Sequence, residues 1–236
     1  MTRYRAYSEY LRRRYGEKVY KLPVSLPVTC PNRDGTCGTT GCVFCGEIGA
    51  GYENLPAAMT VGEQLAANIA HIAPKYKAEK YIAYFQNFSN TYLPPAALAD
   101  YLARACRPGV VGLAVATRPD CVTDRHLEVM ARIRSERNVD VFLELGLQTV
   151  NYHSLIKINR GHTLAEFVDA VLRTRRHGIE TCAHVILNLP WDDGTDAVEN
   201  AKLLSALGVE QVKLHALYIV RGTVMAEWYE RGEITL

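Results

Sequence analysis

Four cysteines lie close together near the start of the chain, in the run Cys-Pro-Asn-Arg-Asp-Gly-Thr-Cys-Gly-Thr-Thr-Gly-Cys-Val-Phe-Cys, which spans residues 30–45. The residues between them are rich in Gly, Asn and Asp, which favour a loop over a continued strand. Thiolates gathered on a loop bind soft metals, above all zinc or the irons of an iron–sulfur cluster. The run therefore predicts a metal site, and the identity of the metal distinguishes a redox enzyme from a metal-stapled domain.

The spacing of these cysteines leaves two metal hypotheses open. In the first, Cys30, Cys37, Cys42 and Cys45 bind one zinc ion tetrahedrally. Structural zinc sites commonly use two close cysteine pairs, and only Cys42 and Cys45 form such a pair here. In the second hypothesis, Cys30, Cys42 and Cys45 hold a [4Fe–4S] cluster and Cys37 takes no part. One iron then keeps an open coordination position, as chemistry requires.

The remaining chain alternates apolar strand patterns with amphipathic helix patterns. Strands are predicted at 23–29, 80–86, 110–117, 139–147, 180–189 and 211–218, and helices at 60–73, 95–106, 124–135, 163–177 and 196–206. Capping boxes are predicted at Thr60 with Glu63 and at Thr163 with Glu166. Since parallel strands need helical crossovers, the order predicts an α/β fold, as an open parallel sheet or a partial (β/α)6 TIM-like barrel.

Polar residues fall at the predicted strand ends, where parallel α/β folds place their chemistry. Cys30 follows the first predicted strand, so the cysteine loop belongs to the same edge. Glu144 and Gln148 are four residues apart in one strand and therefore share a face. A buried carboxylate at 144 needs a partner, for which Arg118 or the hydroxyls or cationic group of a bound ligand are candidates. These positions predict a binding site beside the cysteines.

Composition restricts the class of protein. The chain has 236 residues, is 48% hydrophobic and carries a formal charge of only +2, so no global basic field indicates nucleic acid. Seven cysteines, an odd number, favour a reducing cytoplasm over a secreted disulfide framework. No apolar run reaches the ~18 residues of a membrane span, so no membrane partner is expected.

Basic residues and tyrosines concentrate in the N-terminal extension, predicted as residues 1–22 before a core domain at 23–236. The basic residues there are Arg3, Arg5, Arg12, Arg13, Arg14, Lys18 and Lys21, and the tyrosines are Tyr4, Tyr7, Tyr10, Tyr15 and Tyr20. One interpretation is an amphipathic helix whose tyrosines pack on the core and whose arginines face water. The other is a face that binds phosphates and stacks bases of RNA.

Cys30, Cys42 and Cys45, with Phe44 directly before the last cysteine, resemble the cluster motif of the radical S-adenosylmethionine (SAM) superfamily. The eleven residues between Cys30 and Cys42 are similar to the branch that contains catalytic subunit 3 of the elongator complex and its bacterial relatives. Further short motifs similar to those of that bacterial group lie at 30–35, 84–86, 90–92, 145–149, 158–162 and 213–215. The resemblance therefore covers nearly the whole chain.

The resemblance implies a radical SAM barrel that binds SAM at a [4Fe–4S] cluster. One electron cleaves SAM reductively, and the resulting 5′-deoxyadenosyl radical abstracts hydrogen from a substrate. The residues that the resemblance and the strand ends assign to the cofactor are Phe44, Gln86, Arg118, Glu144, Gln148 and Asn188. A flavodoxin- or ferredoxin-like electron donor is the implied partner, and transfer RNA (tRNA) is the candidate substrate. The alternative is a zinc-stapled nucleic-acid-binding module without catalytic activity.

Four other polar residues receive roles from their positions. Arg160 and His162 are expected to contact substrate. His184 and His215 alternate within strands, and hydrogen-bonded core histidines are expected there before catalytic ones. Arg118 has two interpretations, SAM carboxylate binding or a salt bridge of the fold.

Overall fold

The computed structural model describes residues 4–49 and 53–236. Six parallel strands form one sheet in sequence order. The strands are β1 (Val19–Val24), β2 (Lys80–Phe85), β3 (Val110–Thr117), β4 (Asp140–Gln148), β5 (Glu180–Leu187) and β6 (Gln211–Ala216). The helices are α1 (Tyr7–Tyr15), α2 (Val61–Tyr76), α3 (Pro95–Ala105), α4 (Asp124–Arg137), α5 (Tyr152–Lys157), α6 (Leu164–Arg176), α7 (Gly194–Ala206) and α8 (Val224–Glu230). The sheet curls into a half-barrel, which confirms the predicted α/β class and its partial-barrel form.

Local capping chemistry fixes the helix ends that the sequence predicts. The Glu63 carboxylate accepts the Thr60 backbone N–H at 2.8 Å, and Thr60 Oγ1 accepts the Glu63 N–H in return. The same reciprocal pair is present at Thr163 and Glu166. Such boxes satisfy backbone donors that a helix N-terminus leaves without partners. All five predicted helices are present, and their ends differ from the predicted ones by three residues at most.

Two apolar layers hold the sheet. The larger layer packs the crossover helices against the outer face and includes Leu65, Leu98 and Phe167, all without solvent exposure. A second cluster lies on the inner face, where Leu11 of α1 packs with Phe142 and the other inner side chains of the sheet. Since Tyr10 and Tyr15 pack on this cluster as well, α1 is the amphipathic helix that the first interpretation predicts.

The first strand differs from its prediction. β1 begins at Val19, so the predicted strand 23–29 overlaps it only at Pro23 and Val24, and residues 19–22 of the expected extension lie in the sheet. Gln64 explains the early end: its side chain accepts the Ser25 N–H at 2.8 Å and donates to the Ser25 carbonyl at 2.9 Å. An α2 side chain thus replaces a strand neighbour directly after Val24.

In the described ranges, three α-helices lie outside the predicted set: α1, given only as an interpretation, and the short α5 and α8. Within the described residues, no helix combines the length and apolar character needed to cross a bilayer.

Candidate functional site

A cavity of about 550 Å³ opens inside the half-barrel, at the C-terminal ends of the strands. The loop after β1 forms one wall, and residues from β2 to β6 form the others. The predicted site residues that line it are Cys30, Cys42, Phe44, Cys45, Gln86, Arg118, Glu144, Gln148, Arg160, His184 and His215. The structure thus brings the cysteine loop and most of the predicted strand-end residues together around one space.

Three of the four loop cysteines share this cavity. Cys30, Cys42 and Cys45 line it, whereas Cys37 is exposed and faces a separate pocket beside Tyr92. Ser89 Oγ lies 3.8 Å from the Cys30 sulfur. This division matches the ligand set of the second metal hypothesis.

The separation of the sulfur atoms also bears on the metal. A tetrahedral zinc ion with Zn–S bonds of about 2.3 Å needs sulfurs about 3.8 Å apart. In the described part of the chain, no three of the loop cysteines bring their sulfurs within 4.8 Å of one another. A [4Fe–4S] cluster distributes its thiolates over different irons and needs no such close approach. The donors present therefore fit a cluster better than a single zinc ion.

The segment between α5 and α6 holds the cysteine loop in place. The Val43 N–H donates to the Ile158 carbonyl at 3.1 Å, and Asn159 Nδ2 donates to the Gly41 carbonyl at 2.8 Å. Arg160 Nη1 lies 3.6 Å from the Cys42 sulfur. A cationic N–H near a thiolate stabilises it and influences the reduction potential of a cluster bound there.

Arg160 and His162, expected to contact substrate, are hydrogen-bonded to each other behind the cysteine loop. Arg160 is 7% exposed, and its Nε donates to His162 Nε2 at 2.8 Å while its Nη2 donates to the Gly146 carbonyl at 3.1 Å. Burial, together with the Arg160 charge, lowers the pKa of His162, which stays neutral and accepts that hydrogen bond. The pair supports Cys42 and strand β4; Arg160 also lines the cavity, so its expected contact with substrate stays a prediction, whereas His162 does not line the cavity.

Arg118 forms the salt bridge of its second interpretation. Its guanidinium binds Asp120 in a bidentate manner, with Nε–Oδ1 at 2.9 Å and Nη2–Oδ2 at 2.7 Å. Nη1 donates to the Arg160 carbonyl at 2.6 Å. Burial opposes the charge, but Asp120 outweighs it and raises the pKa of Arg118. Arg118, one of the candidate partners of Glu144, therefore pairs with Asp120 instead, although it lines the cavity.

Glu144 is 1% exposed and has charged and polar partners inside the half-barrel, which include the Tyr84 hydroxyl. Lys21 of β1 forms an ion pair with Oε1, and His184 Nε2 lies 2.8 Å from Oε2. Burial raises the pKa of a carboxylic acid, but Lys21 and His184 outweigh it and hold the pKa of Glu144 well below its usual range. Glu144 is thus a buried carboxylate with its charge compensated.

The other predicted cofactor contacts divide into two groups. Phe44, Gln86 and Gln148 line the cavity, and Gln148 adopts a left-handed φ of 74° beside an irregularity of the β4–β5 register. Asn188 lies beyond the end of β5, is exposed and does not line the cavity. The structure therefore does not bring Asn188 to the site.

Sequence reasoning missed Lys21, Tyr84 and Lys213 as members of the site. Lys213 was missed because the apolar residues of β6 face outward and its polar residues face inward. Val212 and Leu214 are 47% and 63% exposed, while Lys213 and His215 line the cavity. The spacing of Lys213 and His215, two residues apart in one strand, was the signal that could have placed both on the cavity face. His184 and His215 are hydrogen-bonded to each other at 3.2 Å, as expected, and face the cavity too.

A parallel half-barrel with three cysteines at its C-terminal rim is the architecture of a cluster-binding α/β enzyme. The family model of the radical SAM superfamily matches residues 28–204, so the chain belongs to that superfamily. It is therefore a radical SAM enzyme, and the family implies a [4Fe–4S] cluster and SAM.

Individual relatives place the chain within the superfamily. It is 37% identical to the protein YtqA of Bacillus subtilis over 235 residues, which cover 98% of this chain and 72% of that protein. It is 37% identical to YhcC of Escherichia coli, over 95% of this chain and 71% of YhcC. A tRNA uridine(34) acetyltransferase of Methanocaldococcus jannaschii is 26% identical over 52% of this chain and 22% of its own length.

The fold is shared with a solved structure of the elongator branch. The Elp3 protein of Methanocaldococcus infernus superimposes with a TM-score of 0.67 at 16% identity, covering 92% of this chain and 50% of that one. The suspected relation to the elongator branch is thus confirmed at the level of family and fold.

Proposed function

We propose that Cys30, Cys42 and Cys45 hold a [4Fe–4S] cluster and that SAM binds in the cavity beside them. The observation that carries the proposal is the placement of these three cysteines, without Cys37, in one cavity wall with Phe44 and Gln86. When bound, the cluster supplies the electron that cleaves SAM to methionine and a 5′-deoxyadenosyl radical for substrate modification.

The chain's own residues position the cofactors and exclude water. Arg160 donates toward the Cys42 sulfur, and the amides of Gln86 and Gln148 offer acceptors for the amino group of methionine. Phe44 provides a ring for the adenine. Both oxygens of Glu144 are engaged by Lys21 and His184, so Glu144 acts by holding His184 in the cavity wall.

An electron paramagnetic resonance titration tests this function. The protein is reconstituted anaerobically with iron and sulfide, reduced, and mixed with SAM. Because SAM would bind the cluster at its open iron, the proposal predicts a changed spectrum of the reduced cluster, with Cys37→Ala behaving as wild type. A colourless protein that retains zinc instead, or a spectrum unmoved by SAM in a chain loaded with four irons, would overturn the proposal.

Transfer RNA is the candidate substrate to test first. It is supported by the partial similarity to a tRNA uridine(34) acetyltransferase and by the exposed Arg12 and Arg13 of α1. However, α1 contacts Asp140 and Glu180, the first residues of β4 and β5, so it lies at the opposite end of the strands from the cysteines. An RNA bound there would have to extend around the half-barrel. The electron would come from a flavodoxin- or ferredoxin-like donor.

A further inference from the structure

Two side-chain contacts cross the interior of the half-barrel below the cysteines. Lys21 of β1 reaches Glu144 of β4, and Lys213 Nζ of β6 lies 3.2 Å from the Tyr84 hydroxyl of β2. His184 and His215 adjoin them. We call these six residues the lumen cluster: Lys21, Tyr84, Glu144, His184, Lys213 and His215. All but Lys21 line the cavity, so the cluster forms one side of the space in which a substrate would meet SAM.

The charges of the lumen cluster do not cancel. Glu144 is its only carboxylate, and Lys21 and His184 already occupy the two oxygens. Burial lowers the pKa of His184, and burial with the neighbouring His184 lowers that of His215 to about 4, so both imidazoles are neutral near pH 7. Within the lumen cluster two ammonium groups therefore face one carboxylate, and one positive charge of the cluster is in excess; the Glu53 carboxylate, outside the cluster, acts on Lys213 without forming an ion pair with it.

The excess charge resides on Lys213. Within residues 4–49 and 53–236, no carboxylate oxygen lies within 4.0 Å of Lys213 Nζ, whose polar contact is the Tyr84 hydroxyl. The Tyr84 ring provides further stabilisation, since Lys213 Nζ lies 4.9 Å and Lys21 Nζ 4.6 Å from its centroid. Burial nevertheless lowers the pKa of Lys213, so the ammonium is less stable in the cavity than in water.

Apolar side chains line the cavity as well, among them Ala116, Ile186 and Leu217. An ammonium group in a partly apolar wall suits an organic ligand with an anionic end. The Tyr84 hydroxyl accepts from Lys213 Nζ and its own proton is engaged by Glu144, so it holds the ammonium group in place. An anion at Lys213 would offset the ammonium charge and accept a hydrogen bond from Lys213 Nζ.

We propose that Lys213, with the Tyr84 hydroxyl beside it, binds an anionic group of the substrate, a carboxylate or a phosphate, inside the half-barrel. The inference rests on the proposed function, because it takes this cavity to be the place where substrate and SAM meet. It assigns a substrate class with an anionic end to a site for which the family provides only the cofactors.

Competitive acetylation of the full-length reconstituted protein tests the inference directly. Acetic anhydride labels the protein under anaerobic conditions with saturating SAM, which fills the cofactor's own anion contacts. The two probes are inorganic phosphate and malonate, each compared with sodium chloride at equal ionic strength. Mass spectrometry measures the labelling of Lys213 and of two exposed reference lysines, Lys77 and Lys202.

A bound anion should reduce Lys213 labelling at least fivefold and saturably, with both reference lysines unchanged. Protection by phosphate alone supports a phosphorylated substrate, protection by malonate alone supports a carboxylate, and protection by both supports shared recognition. Equal Lys213 labelling in phosphate, malonate and chloride would overturn the inference.

Equilibrium dialysis of a matched pair of variants provides the second measurement. Lys213→Met should bind the protecting anion at least tenfold more weakly than wild type, whereas Lys202→Met should bind it unchanged; equal loss in both, or in neither, would contradict the assignment. The inference and the proposed function fail separately. A protein that cleaves SAM but leaves Lys213 unprotected overturns the inference alone, and a protein that shows protection without cleaving SAM overturns the function alone.

Discussion

The cysteines of the loop have different proposed roles, and measuring the iron content of single variants tests which of them are cluster ligands. Replacing Cys30, Cys42 or Cys45 by Ala should abolish the reconstituted cluster, because each removes a ligand from the cavity wall. Cys37→Ala is the matched control, since Cys37 lies on the same loop but faces another pocket, and it should keep about four irons per chain. Iron loss in Cys37→Ala equal to that in the other three would refute the ligand set.

Glu144 supports a second prediction, on stability. Glu144→Gln leaves Lys21 inside the half-barrel without its counter-charge, so the free energy of unfolding should fall by about 3 kcal/mol at pH 7. Urea denaturation measures the change. Glu9→Gln, which breaks the exposed pair with Arg13, should have no measurable effect.

The pH dependence of this loss follows from the sign of the shift. The pKa of Glu144 in the folded chain lies below its usual value of 4.5, so its stabilisation is complete above that pH and is lost as the pH falls toward the folded pKa. The difference between wild type and Glu144→Gln should therefore shrink below about pH 4.5. A difference that stays constant down to pH 3 would show that the charge of Glu144 is not its cause.

The resemblance to family motifs, together with positions at strand ends, predicted the three cavity cysteines, Phe44, Gln86 and Gln148, whereas the cysteine spacing alone left both a zinc ion and a cluster open. These patterns did not predict the partners of Glu144 or Arg118. Lys21 reaches Glu144 from three strands away, and Arg118 turns back to Asp120, two residues along the chain. Which of several cations meets a buried carboxylate depends on how the sheet curls.

Among the elements, α1 is anchored to the starts of β4 and β5, which its basic composition alone did not indicate. Arg14 binds Asp140 with Nε–Oδ2 and Nη2–Oδ1 distances of 2.8 Å, and it also pairs with Glu180. Arg14→Met would leave two neighbouring strand-start carboxylates without their cation; because the pairs are solvent-accessible but bidentate and shared, we expect a loss of about 1 kcal/mol in the free energy of unfolding. Thermal or urea denaturation checks it.

Arg12→Met is the matched control, because Arg12 lies on the same helix but forms no ion pair with any described residue, and it should leave stability unchanged. If both variants were equally stable, α1 would not be anchored to the strand starts as described.

The elements themselves were mostly predictable. Helix ends with capping boxes matched closely, as at Thr60 and Thr163, because capping is local chemistry. β1 was misplaced because its end depends on Gln64, forty residues away in sequence, and the inward face of β6 was missed because its apolar residues point outward. The periodicity of a sequence shows which residues of a strand are apolar. Which face of the strand is buried depends on packing against residues far away in the sequence.

At the scale of the whole molecule, the two ends of the half-barrel differ: cysteines and cavity at one end, α1 at the other. If α1 binds tRNA, Arg12→Ala combined with Arg13→Ala should weaken retention in a gel shift. The slope of log K against log [salt] should become shallower by about 1–2, since each arginine neutralises about one phosphate. Arg14 is left in place because it stabilises the fold. Arg104→Ala, an exposed arginine on α3, is the control. Absence of any retention at low salt would remove tRNA as the substrate.

The central claim, that the cavity of this half-barrel cleaves SAM at a three-cysteine cluster, is tested most directly by the release of 5′-deoxyadenosine. Reconstituted protein is reduced with dithionite, supplied with SAM and no substrate, and analysed by chromatography, with Cys42→Ala and Cys37→Ala in parallel. We predict slow release from wild type and from Cys37→Ala, and none from Cys42→Ala. No 5′-deoxyadenosine from wild-type protein loaded with four irons, or equal release from Cys42→Ala, would contradict the account.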